Sequence, residues 1–135
     1  YRPILFALRN FSQNSTDGNP SLCREVLTTT SASVAPTGDC LVEGIEAMHV
    51  EFGLDTDDPP DYQVDIYDAA PSVAELATVI TARIYVLARS INTVPNYTND
   101  KTYTMGSTSI TANDSFYRRM FETTVVMHNS EAFGT

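Results

Sequence analysis

The sequence predicts an α+β domain that is mostly antiparallel β, and three observations lead there. Short stretches alternate apolar and polar side chains with period two and are rich in β-branched and aromatic residues. Clusters of Asn, Ser, Asp, Gly and Pro separate them, as turns require. A helix-start signal occurs once, where Ser72 precedes Val73–Ala77.

Residues 2–9 read as a strand with Pro3 tolerated at its beginning. The turn formers Asn14–Pro20 follow, and Ser21–Leu27 reads as the returning strand of a hairpin. Residues 28–39 form a loop of Thr, Ser, Ala, Pro and Gly. The strand at 44–52 alternates cleanly, with Met48, Val50 and Phe52 on one face and His49 and Glu51 on the other, so the first face is expected inside. An acidic turn with Pro59 and Pro60 occupies 54–61, and a short helix capped by Ser72 is expected at 73–77.

From Val79 to Arg89 a strand places Ile80, Ala82, Ile84, Val86 and Ala88 on one apolar face. Ala, Leu and Arg would also suit a helix there, but β-branched and aromatic residues dominate 79–86. That face needs a covering layer. Residues 91–115 show little periodicity apart from a short strand near Tyr103 and read as a long binding loop. A Phe-Tyr-Arg-Arg turn at 116–119 leads into a last strand from Phe121 through His128.

The chain has 135 residues, of which 42% are hydrophobic and 19% charged, the composition of one folded domain. Seventeen acids against eight bases give a net charge of −9. Such a surface excludes broad contact with nucleic-acid phosphates and disfavours anionic lipid. The longest apolar window, Val79–Ala88, is broken by Arg83 and is too short to span a bilayer. Cys23 and Cys40, with sixteen residues between them and no metal-ligand spacing, are expected to form a disulfide in an oxidising compartment.

Candidate chemistry is sparse. The carboxylates Asp55, Asp57, Asp58 and Asp61, with Asp65 beyond them, are the best metal candidates, because calcium takes six to eight oxygens. Pro59 and Pro60 break the calcium-loop pattern and no Gly permits its sharp turn, so a solvated acidic turn is the stronger reading and no cofactor is expected. His49 and His128 stand without further ligands, and no nucleophile or metalloprotease motif is present, so no enzymatic activity is expected. Arg118-Arg119 can grip a carboxylate bidentately or form an internal salt bridge to the acidic turn.

Four segments, in order, resemble the PilW-type minor pilins of type IV pili. They are Arg2-Pro3-Ile4-Leu5-Phe6 with Asn19-Pro20-Ser21-Leu22 and Arg24; Leu41-Val42-Glu43-Gly44-Ile45-Glu46 with Phe52-Gly53 and Asp55-Thr56-Asp57; Ala82 to Ser90; and Phe116-Tyr117-Arg118-Arg119 with Phe121 to Asn129. Here Asp58-Pro59-Pro60-Asp61 replaces the Asp/Gly-rich turn often found in the family. The resemblance implies a pilin-like C-terminal sheet domain lacking the N-terminal pilin helix, with residues 1–135 forming a single soluble domain of a longer precursor. It implies a structural subunit of the pilus initiation and tip complex. Its partners would be other minor pilins, the major pilin and a pilus-tip adhesin, and membrane attachment would come only through the absent helix. The location implied is the periplasm, anchored to the inner membrane, and then the pilus tip. Two rival readings are a J-type minor pseudopilin of a type II secretion system and a free extracellular carbohydrate- or ion-binding β-module.

Overall fold

β-Branched and aromatic residues fill the extended segments, and a computed structural model, which describes residues 4–26 and 39–127, turns them into nine strands. These are β1 (Ile4–Arg9), β2 (Ser21–Val26), β3 (Asp39–Glu43), β4 (Ile45–Leu54), β5 (Ile66–Asp68), β6 (Val79–Arg89), β7 (Thr102–Met105), β8 (Thr108–Thr111) and β9 (Arg118–Val126). They form a three-stranded sheet β1-β2-β3, a four-stranded sheet β5-β4-β6-β9 and the hairpin β7-β8.

The mostly antiparallel β expectation holds, but the helical part of the predicted class does not: no α-helix occurs among the described residues. The helix expected at 73–77 is a single 3-10 turn, Glu75–Thr78. Its start is closed reciprocally, with the Ser72 amide donating to the Glu75 carboxylate (2.7 Å) and the Glu75 amide to Ser72 Oγ (3.3 Å). The β-branched run Val79-Ile80-Thr81 then takes the chain straight into β6, leaving no room for another helical turn. Short β3, β5 and β8 were not expected from the sequence.

The chain packs as two compact units. The first comprises Tyr1–Ala47, Leu87–Asp100 and Asn113–Arg119; the second comprises Met48–Val86, Lys101–Ala112 and Met120–Thr135. In the first, β1 pairs with β2 across the turn predicted at 14–20, with Leu8 opposite Leu22, and β2 pairs with β3, with Leu22 opposite Val42. A bulge between Leu22 and Cys23 brings Cys23 directly opposite Cys40, and the expected disulfide joins them. The 10–20 turn folds on Asp17, whose carboxylate accepts the amides of Ser12, Gln13, Asn14 and Asn19. Those bonds, that from Asn19 foremost, hold its carboxyl down at about 2. Gly44 links β3 to β4 with a positive φ of 83°, its amide donating to the Pro20 carbonyl and its own carbonyl accepting the Arg89 amide. A Cβ there would stand 2.6 Å from the Arg89 carbonyl oxygen.

The second unit buries Leu54, Val79, Ile80, Ala82, Tyr85, Met105 and Ala112. Arg83 on β6 lies over the Tyr67 ring of β5 at 3.7 Å, a cation–π contact, and reaches Glu122 of β9. The predicted binding loop at 91–115 is not a free loop. The pairs Ser90–Tyr117, Val94–Ser115 and Asn99–Asp114 tie its two limbs together, and the sequence between the limbs forms the β7-β8 hairpin. The short strand expected near Tyr103 is β7; polar side chains hid its partner β8, because an exposed two-stranded ladder needs no apolar alternation.

The sequence placed Met48, Val50 and Phe52 inside and His49 and Glu51 outside. The structure differs: Glu51 is 4% exposed, whereas Met48 lies at the surface. The turn of the β7-β8 hairpin covers the Glu51 side of β4, with the Ser107 amide donating to Glu51 Oε1 at 2.6 Å. Of the apolar strip expected to need a covering layer, Ile80 and Ala82 are buried and Ile84, Val86 and Ala88 are half-buried. β1, β3 and β9 are among the elements that leave large apolar side chains in solvent.

Candidate interaction surface

β9 starts at Arg118, whose guanidinium is held by two carboxylates of the first unit. Nε and Nη2 donate to the two oxygens of Glu46 at 2.6 and 2.9 Å, while Nη1 and Nη2 donate to those of Asp114 at 2.6 and 2.7 Å. The side chain is 4% exposed. Hydrogen bonds from Arg118 hold the Asp114 carboxyl down at about 2, and the same bonds, with those to Glu46, raise the pKa of Arg118. The bidentate grip anticipated for the Arg118-Arg119 pair therefore exists. Its carboxylates come from β4 and from the residue that bridges Asn99, not from the acidic turn. Asp114 stands four residues before Arg118, but Glu46 is 72 residues away and leaves no local signature. The arrangement is structural, since all three guanidinium nitrogens already donate to carboxylates, through four of the five N–H groups.

Near Glu46 an open pocket of about 240 Å³ is lined by Asn10, Gly18, Pro20, Glu46 and Arg89. Arg89 spans it, donating to the Gly18 carbonyl at 2.7 Å and lying over the Phe116 ring at 4.1 Å.

In the second unit, His49, Glu51 and Ser107 come together, a grouping the sequence did not suggest. Burial pushes the Glu51 carboxyl up, but hydrogen bonds from the Ser107 amide and hydroxyl and from His49 outweigh it, and the carboxyl titrates below the usual glutamate range. The same His49 nitrogen, Nε2, faces both Ser107 Oγ at 3.3 Å and Glu51 Oε1 at 3.4 Å. A serine–histidine–acid relay needs the acid on the other ring nitrogen, so this group lacks that geometry. His128 lies outside the described residues.

Of the acidic residues singled out in the sequence, the structure gathers Asp55, Asp57 and Asp65, each offering an oxygen within 4.8 Å of the others. Asp58 and Asp61 fall outside that group. Asp55 is buried, accepting the amides of Asp57 (3.2 Å) and Tyr62 (2.6 Å), and Asp65 accepts both the amide and the hydroxyl of Thr56. These carboxylates hold the turn's backbone in place of the glycine that the sequence lacks. With one oxygen offered by each, the three carboxylates supply three of the six to eight oxygens of a calcium shell.

The other distinctive surface of the first unit is one face of the β1-β2-β3 sheet. Alternation puts Ile4, Phe6 and Leu8 on the same side, and register adds Leu22 opposite Leu8 and Val42 opposite Leu22. Ile4 is 57% and Phe6 52% exposed, Val42 is half exposed, and Leu8 lies at the surface. The opposite face carries the buried Cys23, Ser21 and the Arg9–Glu25 ion pair. Arg24, opposite Phe6, is an exposed charge on the same face, and Leu5 on the other face is 47% exposed, so the sheet keeps its disulfide buried while presenting a mainly apolar side to water.

Comparison with known families gives a match over most of the chain. The model described as type IV pilus-assembly protein W covers residues 11–129. No curated protein and no solved structure matches the chain.

Proposed function

The chain belongs to the type IV pilus-assembly protein W family, and on that footing we propose that its part in pilus assembly is that of a minor pilin. In this reading it is a structural subunit of the complex that starts the filament and stays at its tip. Membership of the family associates it with the cell envelope and with pilus components. The finer reading adds residence in the periplasm before incorporation and contact with other minor pilins and the major pilin.

The observation that carries the proposal is the apolar face of Ile4, Phe6, Leu8, Leu22 and Val42. Fully burying one such side chain is worth about 1.5–3 kcal/mol, so this face strongly favours a covering partner. A pilin-type amino-terminal helix or a sister subunit supplies such a cover, and a subunit works through packed surfaces rather than through a reaction centre. The His49–Glu51–Ser107 group, lacking relay geometry, agrees with that reading.

Deletion of the gene tests it. Surface filaments counted by electron microscopy are expected to fall sharply and to return with the wild-type gene but not with Phe6→Ser/Val42→Ser. The protein is expected in sheared filaments at low abundance. Normal piliation of the deletion strain sinks the proposal, and normal piliation with impaired type II secretion moves the chain to the pseudopilins.

A further inference from the structure

The four-stranded sheet ends at β9, which pairs with β6 on one side and, among the described residues, with no strand on the other. The Met127 amide donates to the Ile80 carbonyl (2.9 Å) and the Ser90 amide to the Tyr117 carbonyl (2.8 Å), so the two strands run antiparallel in one continuous register. Main-chain groups point to alternate sides along such a strand. Phe121, Thr123 and Val125 therefore turn their amides and carbonyls toward β6, while those of Met120, Glu122, Thr124 and Val126 point outward. The stretch Met120–Val126 lies wholly in the second unit.

An open edge is a template for another strand, and folded proteins blunt it with Pro, Lys, bulges or a covering element. The segment Met120-Phe121-Glu122-Thr123-Thr124-Val125-Val126 contains neither Pro nor Lys. Its one charge, Glu122, is paired with Arg83 of β6. Met120 and Val126 on one face, and Phe121 and Val125 on the other, are 37–51% exposed, so apolar side chains flank the outward groups on both faces. We propose that β9 is a self-association edge, along which two copies of the chain pair antiparallel about a two-fold axis at Thr123.

The residue pattern selects the occupant. Outward from Thr123 the segment reads polar, apolar, apolar in both directions. About that axis Met120 falls opposite Val126 of the second copy, Phe121 opposite Val125, Glu122 opposite Thr124, and Thr123 opposite itself. Aromatic–β-branched and Thr–Thr neighbours are favourable cross-strand pairs, and no like charges meet. The outward groups of the two copies coincide in this register and make about eight main-chain hydrogen bonds. Sliding the pairing by one strand repeat sets Glu122 against itself or against Val126, so the register is specified. The net charge of −9 on each copy opposes approach at long range, and salt should therefore strengthen the dimer. The inference stands apart from the pilus reading, because it uses β9 and not the β1-β2-β3 face.

Sedimentation equilibrium of the intact chain, up to about 1 mM, tests it. A reversible monomer–dimer equilibrium is expected, tighter in about 0.5 M salt than at low salt. Amides of Glu122, Thr124 and Val126 are expected to gain exchange protection with concentration, while those of Thr123 and Val125 do not change. Thr124→Pro removes an outward donor without touching the β6 ladder, and edge strands tolerate Pro there. It is expected to weaken the dimer roughly tenfold or more. Val126→Lys should do the same with no change to the backbone, which keeps the test decisive should Thr124→Pro not fold. Under mild oxidation Thr123→Cys is expected to give a covalent dimer joined at position 123, and faster than Thr104→Cys on the exposed β7. A wild-type chain that stays monomeric at about 1 mM overturns the proposal, whether or not a foreign strand binds the edge. So does a dimer that survives Val126→Lys but is lost in Phe6→Ser/Val42→Ser, and so do equal cross-linking rates for the two cysteine variants.

Discussion

Replacing Arg118 by Met keeps most of the aliphatic stem and removes the four charge-assisted hydrogen bonds to Glu46 and Asp114. Two carboxylates are then left facing a position with no cation. Breaking a buried ion pair from one side costs about 3–5 kcal/mol. Glu46 and Asp114 keep side-chain exposures of 23% and 34%, so solvent relieves part of that cost and about 3 kcal/mol is expected. The assay is urea denaturation of both proteins, with a fall in Tm of about 10 °C expected alongside. Acid provides the second arm. Asp114 has a depressed folded-state pKa of about 2, so its stabilising contribution is complete above the ordinary aspartate value of about 3.9 and is lost as pH falls toward 2. The gap between wild type and Arg118→Met should be widest at neutral pH and narrow through that window. Arg118→Lys should fall between the two, since one ammonium cannot reproduce the planar fork. A deficit below about 1 kcal/mol, or one that does not change with pH, refutes the assignment of Arg118 as the electrostatic clamp of the first unit.

Three further outcomes are expected. Gly53→Ala places a Cβ 2.2 Å from Thr81 Oγ1 and 2.9 Å from Val64 Cγ2, and should lower stability by about 1–3 kcal/mol in urea melts. Glu51 titrates below the usual glutamate range, so its hold on the hairpin is present above about pH 4.3 and is lost as pH falls through the folded-state value. Amide exchange at Ser107 should speed up in that window, beyond the intrinsic pH trend, and Glu51→Leu should abolish the response. Reduction of the Cys23–Cys40 bridge should cost about 3 kcal/mol, read as a lower urea midpoint under reducing conditions.

The strands legible in the sequence were those whose stability comes from burial along one continuous segment. β1, β2, β4, β6 and β9 carry runs of branched or aromatic residues, and each lies within a few residues of its expected place. β3, β5 and β8 are five residues or fewer, and each is extended because a neighbour offers a partner. Asp39–Glu43, for example, is held by β2 and the disulfide. Such partners lie outside any local window, so alternation cannot show them. The short helix was misjudged for the opposite reason. The Ser72–Glu75 signal is real and makes its two hydrogen bonds, but a start signal does not set length, and the β-branched residues from Val79 end the turn.

The inverted burial of β4 has the same origin as the clamp at Arg118. Period two tells which residues share a face, and it did so correctly for His49 and Glu51. It does not tell which face is covered when the covering element is polar. The hairpin above Glu51 is a Thr- and Ser-rich ribbon, invisible as a core layer, yet its Ser107 amide offers a hydrogen bond that makes a buried carboxylate tolerable. Gly106, with φ of 59°, lets it approach so closely that a Cβ would stand 2.3 Å from the Glu51 carboxyl. With polar side chains supporting polar backbone there and at Asp17, Asp55 and Asn99, more of the apolar inventory is left to surfaces such as Ile4–Leu8. A chain that holds its turns and loops with carboxylates can keep large apolar residues outside, and that is the composition expected of a subunit that becomes fully covered only when assembled.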